Sequence, residues 1–248
     1  MSQAGAYLYG FTERSFQPPP DLRGLRGAPV GVIGFADLAA VVSDHPVQPL
    51  MPARRNVEPH HRVVRQVSSQ AALVPAAFGH VGDSPADILA VLRGNYDDIR
   101  QELGRLAGKC EMGMKVTWNV GNIFNHLVRI NRELREARDR AFRGREPSMN
   151  EKLQLGAQFE ASLTAERERL TPMILAAFHQ VASDVFHTPP RDEKTICHTS
   201  LLVDRDRPAD FEAALRHAAT LFDASMAFES TGPWPPYSFV RLRLRPAA

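Results

Sequence analysis

Residues 30–43 read VGVIGFADLAAVVS, and residues 30–42 of this run form the most apolar stretch of the chain. Asp37 interrupts this stretch, which is also shorter than the ~20 residues that a membrane-spanning helix needs. The runs VGVIGF (30–35) and LAAVVS (38–43) are instead typical of short buried strands. The sequence therefore predicts two strands in close succession within a folded core.

Strand patterns recur on both sides of this pair. They are AYLYGFT (6–12), LVPAAFG (73–79) and CEMGMKVTW (110–118). If the first of them is extended, Tyr7, Tyr9 and Phe11 share one face, because alternate residues of a strand point the same way. We expect these strands to belong to one N-terminal sheet.

Helical patterns separate the strands. Pro59 suits the first turn of a helix that runs through Ala72. Ser84 can accept a free backbone N–H at the start of a second helix, which Gly108 ends. Strands and helices in this order predict an α+β domain over residues 1–118, of a ferredoxin-like type with two helices on one face of the sheet.

The middle of the chain, residues 119–187, has helical patterns and no strand pattern. Apolar residues from Ile123 to Ala141 recur at alternating fours and threes, which indicates a coiled-coil-like seam. Ser148 and Glu151 have the spacing of a capping box for the next helix, and Pro172 can bend that helix. The segment is therefore predicted to be a long helical hairpin with a bent second arm.

The last part of the chain returns to mixed structure. TICHTSLLVD (195–204) has a strand pattern, Arg207-Pro208 opens a helix, and two further strands are expected at 225–230 and 238–244. We therefore predict a second domain over residues 119–248, an α+β domain that contains the long helical hairpin.

The composition restricts the class of partner. The formal net charge is only +2, so attraction of the whole molecule to nucleic acid or to an anionic membrane should be weak. The two cysteines, Cys110 and Cys197, are too few for a disulfide framework or an all-cysteine zinc site. No basic and apolar export signal is visible near the start. We expect a soluble cytoplasmic protein.

No residue pattern predicts a catalytic, cofactor or metal site. Residues 104–110 (GRLAGKC) lack the spacing and the hydroxyl of a phosphate-binding loop. His60 and His61 are adjacent on a helix and point about 100° apart, so they do not share a metal ion easily. Cys197 and His198 point to opposite faces of their strand. A hydrogen-bonded or solvated histidine in the first helical turn and a buried cysteine are the simpler interpretations.

The stretch TGPWPPYSFV (231–240) is rigid and aromatic. Pro235 and Pro236 fix the backbone in an extended form, and Trp234 and Tyr237 flank them. Two interpretations are open: a turn whose tryptophan covers an edge of the core, or a binding surface that loses little entropy when a partner docks.

This stretch also resembles the C-terminal signature of the GvpF/GvpL family of gas vesicle accessory proteins. Further segments occur in the family's order: YLYG, LAAVVS, HHRVV, LVPAAFG, GKCEMGMKVTW, TPPRDEKTICHTSLLVDR and DFEAAL. The resemblance implies an N-terminal ferredoxin-like variant, a partly helical C-terminal domain and a location at gas vesicles. It also implies a chaperone-like or minor structural role in building these organelles, with the small hydrophobic shell protein and other accessory proteins as partners.

Three hypotheses follow. In the first, Trp234, Pro235, Pro236 and Tyr237 form a contact surface for the shell protein with the arginines of the last predicted strand, which are Arg241, Arg243 and Arg245. In the second, the chain is a small-molecule-binding or catalytic protein on the same fold. In the third, it is a scaffold that associates with itself along the 123–141 seam.

Overall fold

The computed structural model describes residues 4–144 and 146–245. Its strands are β1 (Ala4–Glu13), β2 (Val30–Phe35), β3 (Leu38–Pro46), β4 (Leu73–Pro75), β5 (Val81–Gly82), β6 (Lys109–Trp118), β7 (Ala182–Thr188), β8 (Thr195–Asp204) and β9 (Met226–Trp234). Its α-helices are α1 (Arg54–Gln70), α2 (Pro85–Gly94), α3 (Tyr96–Leu106), α4 (Ile123–Ile130), α5 (Arg132–Ala141), α6 (Met149–Leu175) and α7 (Pro208–Thr220). The predicted α+β class is confirmed.

The chain forms two compact units. The first contains the residues up to Glu111, together with Asp204–Asp206 and the residues from Pro233 on, and the second contains Met112–Val203 and Arg207–Gly232. The division into domains at residues 1–118 and 119–248 remains a prediction. The compact units differ from it chiefly because the C-terminal segment belongs to the first unit.

The first sheet has the strand order β2-β3-β1-β4, with β5 also paired to β1. The two strands predicted from residues 30–43 form an antiparallel hairpin in which Phe35 pairs with Leu38. Strand β6, which was predicted for this sheet, pairs instead with β8 and β9 in the second sheet, whose order is β7-β8-β6-β9. The ferredoxin-like subtype stays a prediction.

A β-bulge in β1 changes which face of the sheet its later side chains point to. Its pairing with β3 shifts register between Leu8, which faces Val42, and Gly10, which faces Val41. Because the extra residue reverses the alternation of side chains, Phe11 lies on the face opposite to Tyr7 and Tyr9. The prediction that all three aromatic residues share a face was therefore wrong for Phe11.

Two long helices that the sequence predicted are each divided at an asparagine. Asn95 has a non-helical backbone (φ −123°, ψ 20°) between α2 and α3, and its buried amide donates to the Val91 carbonyl at 2.7 Å. Asn131 (φ −107°, ψ 113°) separates α4 from α5, and its side-chain oxygen accepts the Leu134 N–H at 3.0 Å. In both cases the asparagine amide satisfies backbone groups at a helix end.

The start of α1 also differs from the prediction. This helix begins at Arg54, so Pro59 lies inside it rather than in its first turn. Val63, Val64 and Val67 of this helix are buried.

The second unit contains the predicted hairpin, in which α5 packs against the 27-residue helix α6. The capping box at Ser148 is present: Glu151 N–H donates to the Ser148 hydroxyl at 3.4 Å, and Ser148 N–H donates to the Glu151 carboxylate at 2.8 Å. The helical pattern does not continue to residue 187, because residues 182–188 form β7 and pair with β8. Phe178, at the end of the helical part, packs its ring 5.6 Å from that of Phe211.

The C-terminal stretch departs most from the prediction. Strand β9 continues through Trp234, so the first residues of TGPWPPYSFV end a strand rather than form a turn. The strand expected at 238–244 is absent: a single 3₁₀ turn (Tyr237–Phe239) precedes residues 240–245, which belong to no helix or strand. Among the residues that the structure describes, no helix combines the length and hydropathy needed to span a membrane.

Candidate functional site

A groove of about 620 Å³ runs beside helix α1 in the first unit. One wall consists of α1 residues Arg54, Val57, Glu58, His61, Arg62 and Arg65. The other consists of Glu111, Trp234, Pro235 and Tyr237. We call this feature the aromatic groove. It brings together three of the predicted contact residues, Trp234, Pro235 and Tyr237.

Trp234 is the exposed part of this wall. This residue is 44% exposed, whereas Pro235 and Pro236 are buried. Pro236 supports the wall without lining the groove. The tryptophan therefore stands on a stiff, anchored backbone and presents a large apolar face to solvent.

Tyr237 is anchored by a buried network that sequence reasoning missed. Its hydroxyl lies 3.2 Å from His60 Nε2, and the Tyr7 hydroxyl lies 2.8 Å from His60 Nδ1. The Tyr9 ring stacks on the His60 ring with 5.7 Å between centroids. His60 is fully buried, not solvated as one interpretation allowed. Its spacing of three and four from Val63 and Val64 is the signal that places it on the buried face of α1.

The charge state of His60 follows from this burial. Loss of solvation, with a smaller contribution from the neighbouring His61, lowers the pKa of His60 to about 4. The imidazole is therefore neutral near pH 7, with one ring nitrogen as donor and the other as acceptor. Burial also raises the pKa of Tyr7 and Tyr237 above the ordinary tyrosine value. The network is a set of neutral hydrogen bonds.

Side chains from the first unit also hold the segment that follows Tyr237. Ser238 donates its N–H to Glu111 at 2.9 Å and its hydroxyl to the same carboxylate at 2.7 Å. Arg241 N–H donates to Glu102 at 2.7 Å. These bonds take the place of a strand ladder, because they satisfy backbone N–H groups of residues 238–244, which pair with no described strand.

Buried Glu102 carries a charge in this arrangement. Burial raises its pKa, but hydrogen bonds from the Arg105 guanidinium and the Arg241 N–H outweigh that effect and hold the pKa below the ordinary value. The segment is thus fastened by charge-assisted hydrogen bonds, which are stronger than neutral ones.

The predicted arginines lie on this segment rather than in the groove. Arg245 N–H donates to Asn95 at 2.8 Å, and its guanidinium donates to Asp98 at 2.6 Å. Arg241, Arg243 and Arg245 are all exposed, and none of them is among the described residues that line the aromatic groove. The structure therefore does not join the three arginines and Trp234 into one continuous wall.

The remaining candidate groups are the two cysteines and His198, and their positions fit a structural role. Burial raises the pKa of Cys197 to about 11 and also raises that of Cys110. Cys197 is buried while His198 is exposed, as expected for neighbours on opposite faces of a strand. Within residues 4–144 and 146–245, no cluster of three or more His, Cys, Asp or Glu side chains could hold a metal ion.

Comparison with known proteins connects this fold to a family. The family model described as gas vesicle synthesis protein GvpL/GvpF matches residues 5–241. The chain belongs to this family. It therefore has an accessory role connected with gas vesicles, and the resemblance seen in the sequence is confirmed.

Individual relatives match over nearly their whole length. Gas vesicle protein F from a Streptomyces species is 30% identical over 240 residues, which cover 94% of this chain and 98% of the relative. Gas vesicle protein F from Dolichospermum flosaquae is 23% identical over 239 residues, or 95% and 97% of the two chains. Gas vesicle protein L1 from Halobacterium salinarum is 27% identical over 261 residues, or 95% and 90%.

Solved structures support the same fold. The crystal structure of gas vesicle protein GvpF from an Anabaena species superposes with a TM-score of 0.83 at 22% identity, over 97% of this chain and 99% of that one. GvpF from Microcystis aeruginosa gives a TM-score of 0.77 at 20% identity, over 96% and 99%. At these identities the likeness establishes the fold of the chain.

Proposed function

We propose that this protein assists assembly of the gas vesicle shell in the cytoplasm by binding the small hydrophobic shell protein, as a chaperone-like factor or a minor component. The observation that carries the proposal is the exposed Trp234 on its buried proline support beside the aromatic groove. Family membership supplies the context, because the relatives are named as gas vesicle proteins.

A physical need supports such a role. Subunits that build an apolar surface aggregate if that surface stays free in water. A partner that covers the surface must bind it with modest loss of entropy and release it later. A rigid tryptophan gives a large contact area for few immobilised rotamers, and aromatic anchors dominate the binding energy of many interfaces.

We further propose that the protein acts without covalent chemistry or a cofactor. The polar network around His60 is buried and joins Tyr237 to the core of the first unit. Its two cysteines are buried, and burial raises the pKa of each thiol, so both are poor nucleophiles.

The test is capture of co-expressed shell protein by the tagged full chain. Trp234→Ala should reduce capture by about tenfold or more, in the range of an aromatic hot spot. Phe186→Ala is the matched control, because Phe186 is similarly exposed (47%) but lies in the second unit. Arg243→Glu tests the predicted arginine surface separately. Undiminished capture by a folded Trp234→Ala, Arg243→Glu double variant would show that neither residue contributes to the contact.

A second candidate function is binding of a small molecule in the aromatic groove. The volume of about 620 Å³ lies within the range of small-molecule sites. Ligand-dependent melting of the chain in the absence of shell protein would favour this alternative.

The self-association hypothesis has less support, because most of the named seam residues are buried and only Ile130 among them is exposed. The buried ones are Ile123, Leu127, Leu134, Ala137 and Ala141.

A further inference from the structure

The charges of the aromatic groove differ between its two ends. At one end Arg54 forms an ion pair with Glu58, with 3.6 Å between Nε and Oε2. Glu111, on the facing wall, accepts two hydrogen bonds from Ser238. At the other end Arg62 and Arg65 are exposed, and neither forms an ion pair with a residue that the structure describes. The groove therefore has two available guanidinium groups while both of its carboxylates are engaged.

The groove is also elongated. From Arg54 to Arg65 the helix rises by about 16 Å, since each residue adds about 1.5 Å. Val57 and Trp234 supply apolar surface to the groove. A groove of this shape accommodates about three turns of a helix laid alongside α1, with side chains spaced by three and four entering it.

We infer that the aromatic groove binds an amphipathic protein segment that places an apolar side against Val57 and Trp234 and one or two carboxylates against Arg62 and Arg65. The inference rests on the proposed function, because we take the segment to belong to the shell protein. It adds that the recognised segment is acidic as well as apolar. Arginine suits this task because its planar fork matches a carboxylate and its stem packs on apolar surface.

The expected contribution of charge is moderate. A single exposed ion pair contributes little, but a pair at the rim of an apolar contact is partly desolvated and contributes more. Two such pairs should change the dissociation constant by about tenfold at low salt. The change should shrink as salt is added, because exposed charges are screened.

The experiment uses two fluorescein-labelled helical peptides with the same apolar stripe. One carries two Glu residues spaced by three to match Arg62 and Arg65, and the other carries Gln at the same places. Polarisation titrations with the full chain should show about tenfold tighter binding of the Glu peptide. Arg62→Glu with Arg65→Glu should remove this preference. Arg55→Glu, on the same helix but outside the groove, should retain it.

Several outcomes would overturn the inference: equal affinity for the two peptides, binding of neither, or an unchanged preference in the double variant. Arg62→Gln with Arg65→Gln removes the charge without adding repulsion, and melting curves check that every variant is folded. Shell-protein capture separates the two proposals. If Trp234→Ala abolishes capture and the charge reversals leave it intact, recognition of an acidic segment is refuted and the proposed function is not. A preference for the Glu peptide without any capture of shell protein refutes the proposed function alone.

Discussion

Acidification should destabilise the first unit through His60, and the size of the effect follows from its burial. The pKa of His60 falls from the ordinary 6.5 to about 4 in the folded chain, because burial penalises the charged ring. Below pH 6.5 the unfolded chain therefore takes up a proton that the folded chain does not. The stability contributed by neutral His60 is complete above pH 6.5 and is lost as the pH falls toward 4.

The magnitude is obtained by integrating this difference in proton binding. Between pH 8 and pH 5 the free energy of unfolding should fall by about 2 kcal/mol from this residue. His60→Gln removes the titration while leaving an amide that can bond to a tyrosine hydroxyl. The stability advantage of the wild type over His60→Gln should thus shrink by about 2 kcal/mol over the same range. Other titrating groups affect both proteins and cancel in the comparison.

The assay is urea unfolding at several pH values, followed by tryptophan fluorescence. The two tryptophans lie in different units, with Trp234 in the first and Trp118 in the second. A Trp118→Phe background therefore leaves a reporter in the same unit as His60. Parallel stability curves for the wild type and His60→Gln between pH 8 and pH 5 would refute the reasoning, because they would mean that the folded chain protonates His60 as readily as the unfolded chain does.

Three further predictions concern local features. In the same denaturation assay, Gly24→Ala should lower the free energy of unfolding by about 2 kcal/mol or more, because a Cβ would collide with the buried Tyr9 hydroxyl. Gly31→Ala is the control: it has open space around its Cβ and should change the free energy of unfolding by less than about 0.5 kcal/mol. Cys197, with a pKa of about 11 and a buried thiol, should react with maleimide at pH 7.5 at least about a hundredfold more slowly in the native chain than in urea; equal rates would contradict its burial. Ser148→Ala should cost about 1 kcal/mol by removing the cap of α6, and an unchanged melting curve of the second unit would count against the capping box.

Features decided by neighbouring residues could be predicted from the sequence. The hairpin of residues 30–43 depends on two short β-branched runs and the turn between them. The starts of α2 and α6 depend on Ser84 and Ser148, whose hydroxyls accept N–H groups three residues ahead. The family, too, could be identified from short segments in a fixed order. All of these signals are local in the chain.

The site could be predicted only in part. The rigidity of Trp234 and Tyr237 around two prolines follows from the local sequence, and both line the aromatic groove. Arg62 and Arg65 on the facing wall, by contrast, had no local sequence pattern that distinguished them from other arginines. They become candidates because the fold sets α1 opposite the C-terminal segment and leaves their charges without an ion-pair partner among the described residues.

From the sequence alone came the α+β class, the starts of α2, α6 and α7, the family, and the two strands of residues 30–43, of which β3 is largely buried as predicted while β2 is only half-buried beyond Val30. The tertiary structure alone decided that residues 238–244 form no strand and that His60 forms hydrogen bonds with Tyr7 and Tyr237. The reason for the missing strand is that the backbone N–H groups of Ser238, Arg241 and Arg245 bond to Glu111, Glu102 and Asn95, which lie more than a hundred residues away in the chain. A local pattern can state that a segment is extended, but the groups that satisfy its hydrogen bonds are brought to it only by the fold.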